Sequence, residues 1–418
     1  MNQLMKEAIQ SIEKNIDKGG LYRYDLRDTR WLPLFSKETF SSKILRKSIL
    51  FLEEFFPIII RKILKIHKKI WPTTYTFLGT AYYLNEKYKL SVDTNHTSLE
   101  YVNLCIKKYI KDIKDLTTWW NDEENVSEGK LIIESTNHFP TILMHALARL
   151  NIMLLNVGNL YGNSKYLDIA SRSVEQVLQN HYFIEFENGI KSVSYYYNTY
   201  DSTININSEF CHWLSLLPKE KHTEKSIDLM KSILKLVLSE QNEDGSWFYY
   251  SKWHMKKYGN KPSCDCHHTG TVLYNLINII KCPFLNEKFR EETIKSINKG
   301  MKYYIKNFFN LSTGKAKTLI GYKRTAGPVQ YSEAIFAFSE YLLFHGKLDN
   351  ELFSIIKCLL PKVVKNNLEL IDLKNGKVPS EKVFKWLHLD SIRWGNGPVF
   401  QSIMYYLAVK RQLGDEIE

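Results

Sequence analysis

Residues 222–247 read HTEKSIDLMKSILKLVLSEQNEDGSW, an amphipathic helix that runs straight into a tight turn. Apolar residues recur at helical spacing from Ile227 to Leu238, as in a helix with a buried face. Asp244 and Gly245 then supply turn chemistry, and Trp247, Phe248, Tyr249 and Tyr250 crowd a short extended piece. After a loop containing glycine and proline, TGTVLYNLINII (269–280) begins the next helix. The same kind of unit recurs along the chain. NHFPTILMHALARLNIMLLNV, SKYLDIASRSVEQVLQNHY, NINSEFCHWLSLL, EETIKSINKGMKYYIKNFF, QYSEAIFAFSEYLLF and GPVFQSIMYYLAVKRQ each supply one helix, most of them apolar on more than one face. Convincing alternation is confined to short patches such as GIKSVSYYY. The expected fold is therefore all-α: an α/α barrel, or toroid, of sequential helical hairpins with short β pieces in the rim loops. A short-period solenoid is disfavoured because the segments share no fixed repeat sequence.

No long Ser- or Pro-rich linker divides the 418 residues, and WWNDEENVSEGK (119–130) is the one acidic, glycine-containing break. Residues 1–125 are expected to form an amino-terminal helical part continuous with the barrel, and 126–418 the catalytic or glycan-binding barrel itself. The chain is 44% hydrophobic and 24% charged, as a folded globular protein should be. Its 26 Tyr, 21 Phe and 9 Trp suit either a large core or a cleft for a flat or sugar-like ligand. The net charge of +12 is spread along the chain, which argues against a nucleic-acid partner and fits an acidic one. In IIIRKILKIHKKIW (58–71) a solvated helix face is the favoured reading, with peripheral contact to anionic lipid as the alternative. Nothing at the amino terminus has signal-peptide order and no apolar run reaches spanning length, so a cytoplasmic protein is expected, membrane-peripheral in that alternative. Six cysteines are too few for a disulfide framework and are expected to be free thiols.

The densest chemistry lies in KPSCDCHHTGTVLYNLINII (261–280). Asp265 or Thr269 suits the helix N-cap. Cys264, Cys266, His267 and His268 are competent zinc ligands by type, but one residue between the cysteines and two adjacent histidines is poor spacing for one tetrahedral ion. No metal and no cofactor is expected. A catalytic role fits better, with His268 at a helix amino terminus held by Asp265 and facing a central cleft. The stretch VSYYYNTYDS adds Tyr195 and Tyr197, which alternation places on one face with Tyr196 on the other, and Glu209 follows in the next helix. Tyrosine and glutamate on opposite faces of a sugar can pass a proton between them. Arg393 suits a carboxylate or phosphate held in two-pronged fashion.

QNEDGSWFYY followed by DCHHTGTVLYNL resembles paired signatures of α/α-barrel proteins encoded with bacterial surface-polysaccharide enzymes. These are the VpsJ-type polysaccharide biosynthesis proteins, to which the helical domain of glucuronyl C5-epimerases is more remotely similar. YDSTININSEFCHWL, GPVQYSEAIFAF and HLDSIRWGNGPVFQSIMYYL agree in order, over roughly residues 130–412. The resemblance carries over Asp244, Gly245 and Trp247 in the turn, where a structural role is favoured, Asp265, His268, Thr269 and Gly270 in the loop, and Asn205, Asn207, Arg393, Trp394 and Gly395. The chain departs from that pattern at Cys266 and His267, and has Gln330 and Tyr331 near where an Asp and a His would stand. The expected function is a carbohydrate-active enzyme of surface-polysaccharide biosynthesis, such as a uronosyl C5-epimerase. His268, Asp265, Tyr195, Tyr197 and Glu209 would be catalytic, and Arg393, Trp394, Asn205, Asn207, Trp247, Tyr249, Tyr331 and Glu333 would hold a glycan or glycolipid. The alternatives are a glycoside hydrolase or lyase using carboxylates among Asp265, Glu209, Asp244 and Glu333, a non-catalytic glycan-binding scaffold, and a terpene or lanthionine cyclase-like toroid.

Overall fold

A computed structural model describes residues 1–25, 29, 39–113, 116–119, 144–181, 183–196, 199–320, 326–344, 349–379 and 389–414. In chain order its helices are α1 (Asn2–Gly19), α2 (Phe40–Phe55), α3 (Pro57–Ile63), α4 (Pro72–Tyr88), α5 (Ser98–Tyr109), α6 (Met144–Tyr161), α7 (Ser164–Asn180), α8 (Ile204–Ser215), α9 (Glu224–Ser239), α10 (Lys252–Tyr258), α11 (Cys266–Ile279), α12 (Glu287–Phe308), α13 (Pro328–Leu343), α14 (Asn350–Leu368) and α15 (Gly397–Leu413). Among the described residues, the β structure is two small antiparallel hairpins. β1 (Ile110–Ile113) faces β2 (Leu116–Trp119) with Ile110 opposite Trp119, and β3 (Phe183–Glu185) faces β4 (Lys191–Val193) with Phe183 opposite Val193.

Helices that are apolar all round must be enclosed by other helices, and those with one apolar stripe must do the enclosing. All of α8 is buried, as are nearly all of α13 and most of α15. Among the described residues, six such helices close a ring in the order α4, α6, α8, α11, α13, α15 and back to α4. Each carries an outer partner: α5 on α4, α7 on α6, α9 on α8, α12 on α11 and α14 on α13. The last outer place, on α15, is filled by α1. Ser11 and Asn15 of α1 bond the carbonyls of Leu373 and Asn375 at 2.6 and 3.0 Å, so the two ends of the chain lock the ring. The fold is an α/α toroid. Its amino-terminal residues supply one inner helix, α4, the outer partner α5, and the closing outer helix α1.

Local chemistry marks the helix starts. Proline, whose missing N–H costs nothing in a first turn, opens α4, α13 and α15. Thr223 and Ser226 form a reciprocal capping box on α9. The turn after α9 is a structural tie. Gln241 donates to the carbonyls of Gly245 and Ser296 at 3.1 and 3.0 Å and accepts from Ser296 Oγ at 2.8 Å. Trp247 donates to Val237 O at 2.9 Å and lies against Gly300, where a Cβ would come within 2.4 Å of its ring. Gly245 has φ +96°, and any side chain there would meet the Lys299 carbonyl.

Candidate active site

The inner helices run parallel, with their amino-terminal ends at one rim. Arg149, Glu209, Thr271, Glu333 and Phe77 each lie five residues past the first residue of their helix, and they meet across the barrel. Arg149 donates from Nε to Glu209 Oε1 at 3.0 Å and from Nη2 to Glu333 Oε1 at 2.8 Å. Its guanidinium also lies 5.5 Å from the centre of the Phe77 ring. Thr271 donates to Glu333 Oε2 at 3.1 Å. Both glutamates are 1% exposed. This charged layer is the floor of the rim site.

One helical turn nearer the rim, the same faces present Thr73, His145, Asn205 and His267, because residues four apart on a helix stack. His145 Nδ1 lies 2.7 Å from Glu209 Oε2. Burial pushes the Glu209 carboxyl up, but the Arg149 cation and the hydrogen bonds from His145 and Arg149 more than offset it and hold it below the ordinary range. Burial, joined by the Arg149 and Arg393 cations, lowers the His145 pKa against the pull of Glu209, so a neutral imidazole sits on an ionised carboxylate. Its Nδ1–H is then the donor and Nε2 is left as a base. Thr73 Oγ1, Asn205 Oδ1 and His267 Nδ1 are buried without a hydrogen-bond partner. At the helical level of His145, these three unmatched polar atoms suit a polar guest, since a buried group left unmatched costs about 1–3 kcal/mol.

The loop before α11 supplies a second histidine on a carboxylate. Asp265 is the N-cap of α11 and accepts from the His268 backbone N–H at 2.9 Å. Its other oxygen is 2.6 Å from His268 Nδ1. Burial raises the Asp265 pKa, but the adjoining His268 overrides it and holds the carboxyl at about 2. His267, next along the helix, is driven well below the ordinary imidazole range by burial and by the neighbouring His268. The rings of His267 and Tyr249 lie 4.6 and 4.5 Å from that of His268. Tyr249 is brought there by backbone pairing, its carbonyl accepting from Ile204 N at 3.0 Å and its N–H donating to Ser263 O at 2.9 Å.

Arg393 approaches from the wide turn Ile392–Asn396 that precedes α15. Its guanidinium lies 4.4 Å from the Trp71 ring centre and 4.8 Å from that of Trp394. Asp25 pairs with it at 3.6 Å and also accepts from Trp394 Nε1 at 3.0 Å. At 3.6 Å the pair is too long for a hydrogen bond, and Arg393 Nη1 has no hydrogen-bond partner.

The structure thus brings together Glu209, Glu333, Asn205, His268, Asp265 and Tyr249 at the rim and floor, with Arg393 and Trp394 on α15's side. It corrects several other expectations. Asn207 is fully buried and spent on β4: its Oδ1 accepts from Val193 N at 2.9 Å and its Nδ2 reaches Ser192 Oγ and Thr203 O at 3.0 and 2.8 Å. Trp247 belongs to the tie between α9 and α12 and not to a glycan cleft. Asp244 caps its own turn, accepting from the N–H and hydroxyl of Ser246 at 2.9 and 2.7 Å. Tyr331 is 5% exposed, and its hydroxyl accepts from Ala316 N at 3.2 Å. β4 ends at Val193, before the tyrosines, so the alternation fails. Asp201 captures the Tyr195 N–H at 2.6 Å, and the rings of Tyr195 and Tyr196 lie 4.7 Å apart where opposite faces were expected. Tyr197 lies outside the described residues. Cys264 faces Thr269 and Tyr303, and Cys266 faces Tyr304 on α12, both thiols pushed up by burial. Sequence reasoning missed His145, Arg149 and Thr271. The available signal was a histidine and an arginine four apart on one face of the mostly apolar MHALARLNIMLL.

No protein-family model matches the chain, and no curated protein does. Solved structures do. A possible GH105-family member from Klebsiella pneumoniae subsp. pneumoniae superposes with a TM-score of 0.61 at 10% identity, over 96% of this chain and 92% of that one. A sugar epimerase from a ruminal bacterium gives 0.54 at 13% identity, over 80% and 89%. An inactive variant of an α-1,6-mannanase from Salegentibacter sp., in complex with α-1,6-mannotetrose, gives 0.54 at 10% identity, over 98% and 99%. The likeness is one of fold, an α/α toroid shared with carbohydrate-active enzymes.

Proposed function

We propose that the chain is a carbohydrate-active enzyme that epimerises a uronosyl residue at C5, in the making of a bacterial surface polysaccharide. The observation that carries this reading is the presence of two histidine–carboxylate dyads at one rim, His145 with Glu209 and His268 with Asp265. The C5 proton of a uronic acid is adjacent to its carboxylate, so removing it needs a neutral base and a cation on that carboxylate. His145 Nε2 supplies the base. Arg393, with its unfilled Nη1 donors, supplies the cation. The electron pair from the broken C–H bond moves onto the carboxylate, and His268, held by Asp265, returns a proton to C5 from the other face. Atoms and electrons then balance, and the dyads recover their starting states by exchange with solvent.

Hydrolysis needs two carboxylates facing one glycosidic bond with room between them. Glu209 and Glu333 both turn onto the same guanidinium, and Asp244 is committed to Ser246. Proton abstraction is therefore the chemistry the residues favour. The experiment is incubation with a panel of uronic-acid polymers in heavy water, followed by NMR at C5. Deuterium is expected at C5 of the inverted product; inversion should vanish in His145→Ala and in His268→Ala, with C5 exchange lost in the first and kept without inversion in the second. A new C4–C5 double bond without C5 exchange would replace epimerisation by elimination. New reducing ends alone would overturn the reading.

A further inference from the structure

The hairpin of α2 and α3 presents its hydrophobic side to solvent. Among the described residues, eight of the eighteen exposed large hydrophobic side chains fall between Ile44 and Ile63, a segment of about a twentieth of the chain. Phe51 and Ile63, at 62% and 67%, are the most exposed of them all. Scattered apolar side chains are ordinary on a protein surface, but a concentration of this kind marks an interaction site. On α2 the exposed Ile44, Leu45, Phe51 and Leu52 follow helical spacing, forming one outward stripe continued by the Phe55 ring, 5.1 Å from that of Phe51. Ile49 of α2 and Ile60 of α3, with Leu50 and Leu64 against them, form a small core separate from that of the barrel.

Among the described residues, the exposed charges around this stripe are basic. Lys43, Lys47, Lys62, Lys65, Lys68 and Lys69 are exposed. Between Lys43 and Lys69 the acidic residues are Glu53 and Glu54, and Glu53 is spent on Arg61 at 2.5 Å and Thr29 at 2.6 Å. A second copy of such a hairpin would bring lysines against lysines. A bilayer surface of anionic phospholipid accepts both features, the apolar stripe below the headgroups and the lysines among them. The hairpin is also tied to the rim of the barrel: Arg61 donates to Asp25 O at 2.8 Å, and Asp25 in turn holds Trp394 and Arg393.

We propose that α2 and α3 dock the protein on an anionic membrane surface, with the rim that carries Arg393 held beside the bilayer. This docking does not depend on the reaction proposed above. The test is co-sedimentation of the full chain with vesicles of phosphatidylcholine alone and of phosphatidylcholine with phosphatidylglycerol. At low salt, binding to the anionic vesicles is expected to be about tenfold tighter or more, and to weaken as salt rises. Combining Phe51→Glu, Ile59→Glu and Ile63→Glu should abolish it with the melting temperature unchanged. Should that variant fail to fold, Lys62→Glu with Lys65→Glu, both on exposed positions, should weaken anionic binding about tenfold. Failure of the wild type to bind anionic vesicles, or undiminished binding by the lysine variant, overturns the proposal. So does light scattering that finds a wild-type dimer made monomeric by the apolar variant, since the face would then join two copies.

Discussion

Replacing Arg149 by methionine keeps much of its volume and removes the one cation that both Glu209 and Glu333 face. Each carboxylate is 1% exposed, so water cannot take the place of the lost donor. Breaking a buried ion pair from one side leaves an uncompensated charge and costs about 3–5 kcal/mol. For a chain of 418 residues, an unfolding entropy of about 2.1 cal/mol/K per residue turns that cost into a drop of about 3–6 °C in melting temperature. The pH dependence separates this cause from simple loss of packing. In the wild type Glu209 is held below its unfolded pKa, so its pairing stabilises the fold above that pKa and is lost as pH falls through the folded value. In the variant an unpaired buried carboxylate titrates above its ordinary range, and staying folded becomes costlier as pH rises. The gap between wild type and Arg149→Met should therefore be widest near pH 7.5 and narrow toward pH 5, measured by scanning calorimetry at matched ionic strength. A gap that is absent, or equal at both pH values, would refute the account of the floor as a charged clamp.

Acid should also destabilise the wild type through its buried histidines. Burial lowers His181 and His212 to about 4, below the ordinary unfolded value, so the unfolded chain binds protons first and stability is lost as pH falls from about 6.5. The loss is about 1.4 kcal/mol per pH unit for each, and a urea midpoint unchanged between pH 7 and 5 would contradict it. Asn207→Ala should cost about 1–3 kcal/mol by stranding the Val193 N–H, with no change in glycan affinity. Asn205→Ala should do the reverse, leaving the melting temperature nearly intact and weakening a bound glycan about three- to tenfold in calorimetric titration. Gly300→Ala should cost about 1–3 kcal/mol by driving a methyl into Trp247, with a shifted tryptophan emission as its signature.

Asn205 and Asn207 show where reading the sequence reaches its limit. Both stand out as polar residues at the start of an apolar helix, and nothing local separates them. Two residues turn a helix by about 200°, so one faces the barrel axis and the other faces β4. Which does which depends on the neighbours. The stretch 58–71 is a similar case: helical spacing predicts an amphipathic helix, but spacing cannot say which face is covered, and in the structure Ile58, Ile59 and Ile63 face outward while the arginine among them is buried.

What the chain order determined by itself is local. Apolar period decides that the segments are helices, proline and capping residues decide where several of them begin, and Asp265 is legible as an N-cap three residues before the His268 whose N–H it accepts. The Gln241–Trp247 turn is legible for the same reason, since most of its bonds close within a few residues. The floor of the candidate site is not local. Arg149 meets glutamates 60 and 184 positions away, and those partners become neighbours only when six helices close with their first turns at one rim. A lone arginine in an apolar helix has many possible partners in sequence. Ring closure selects two of them, because a buried guanidinium must find carboxylates at its own depth or the ring cannot close around it.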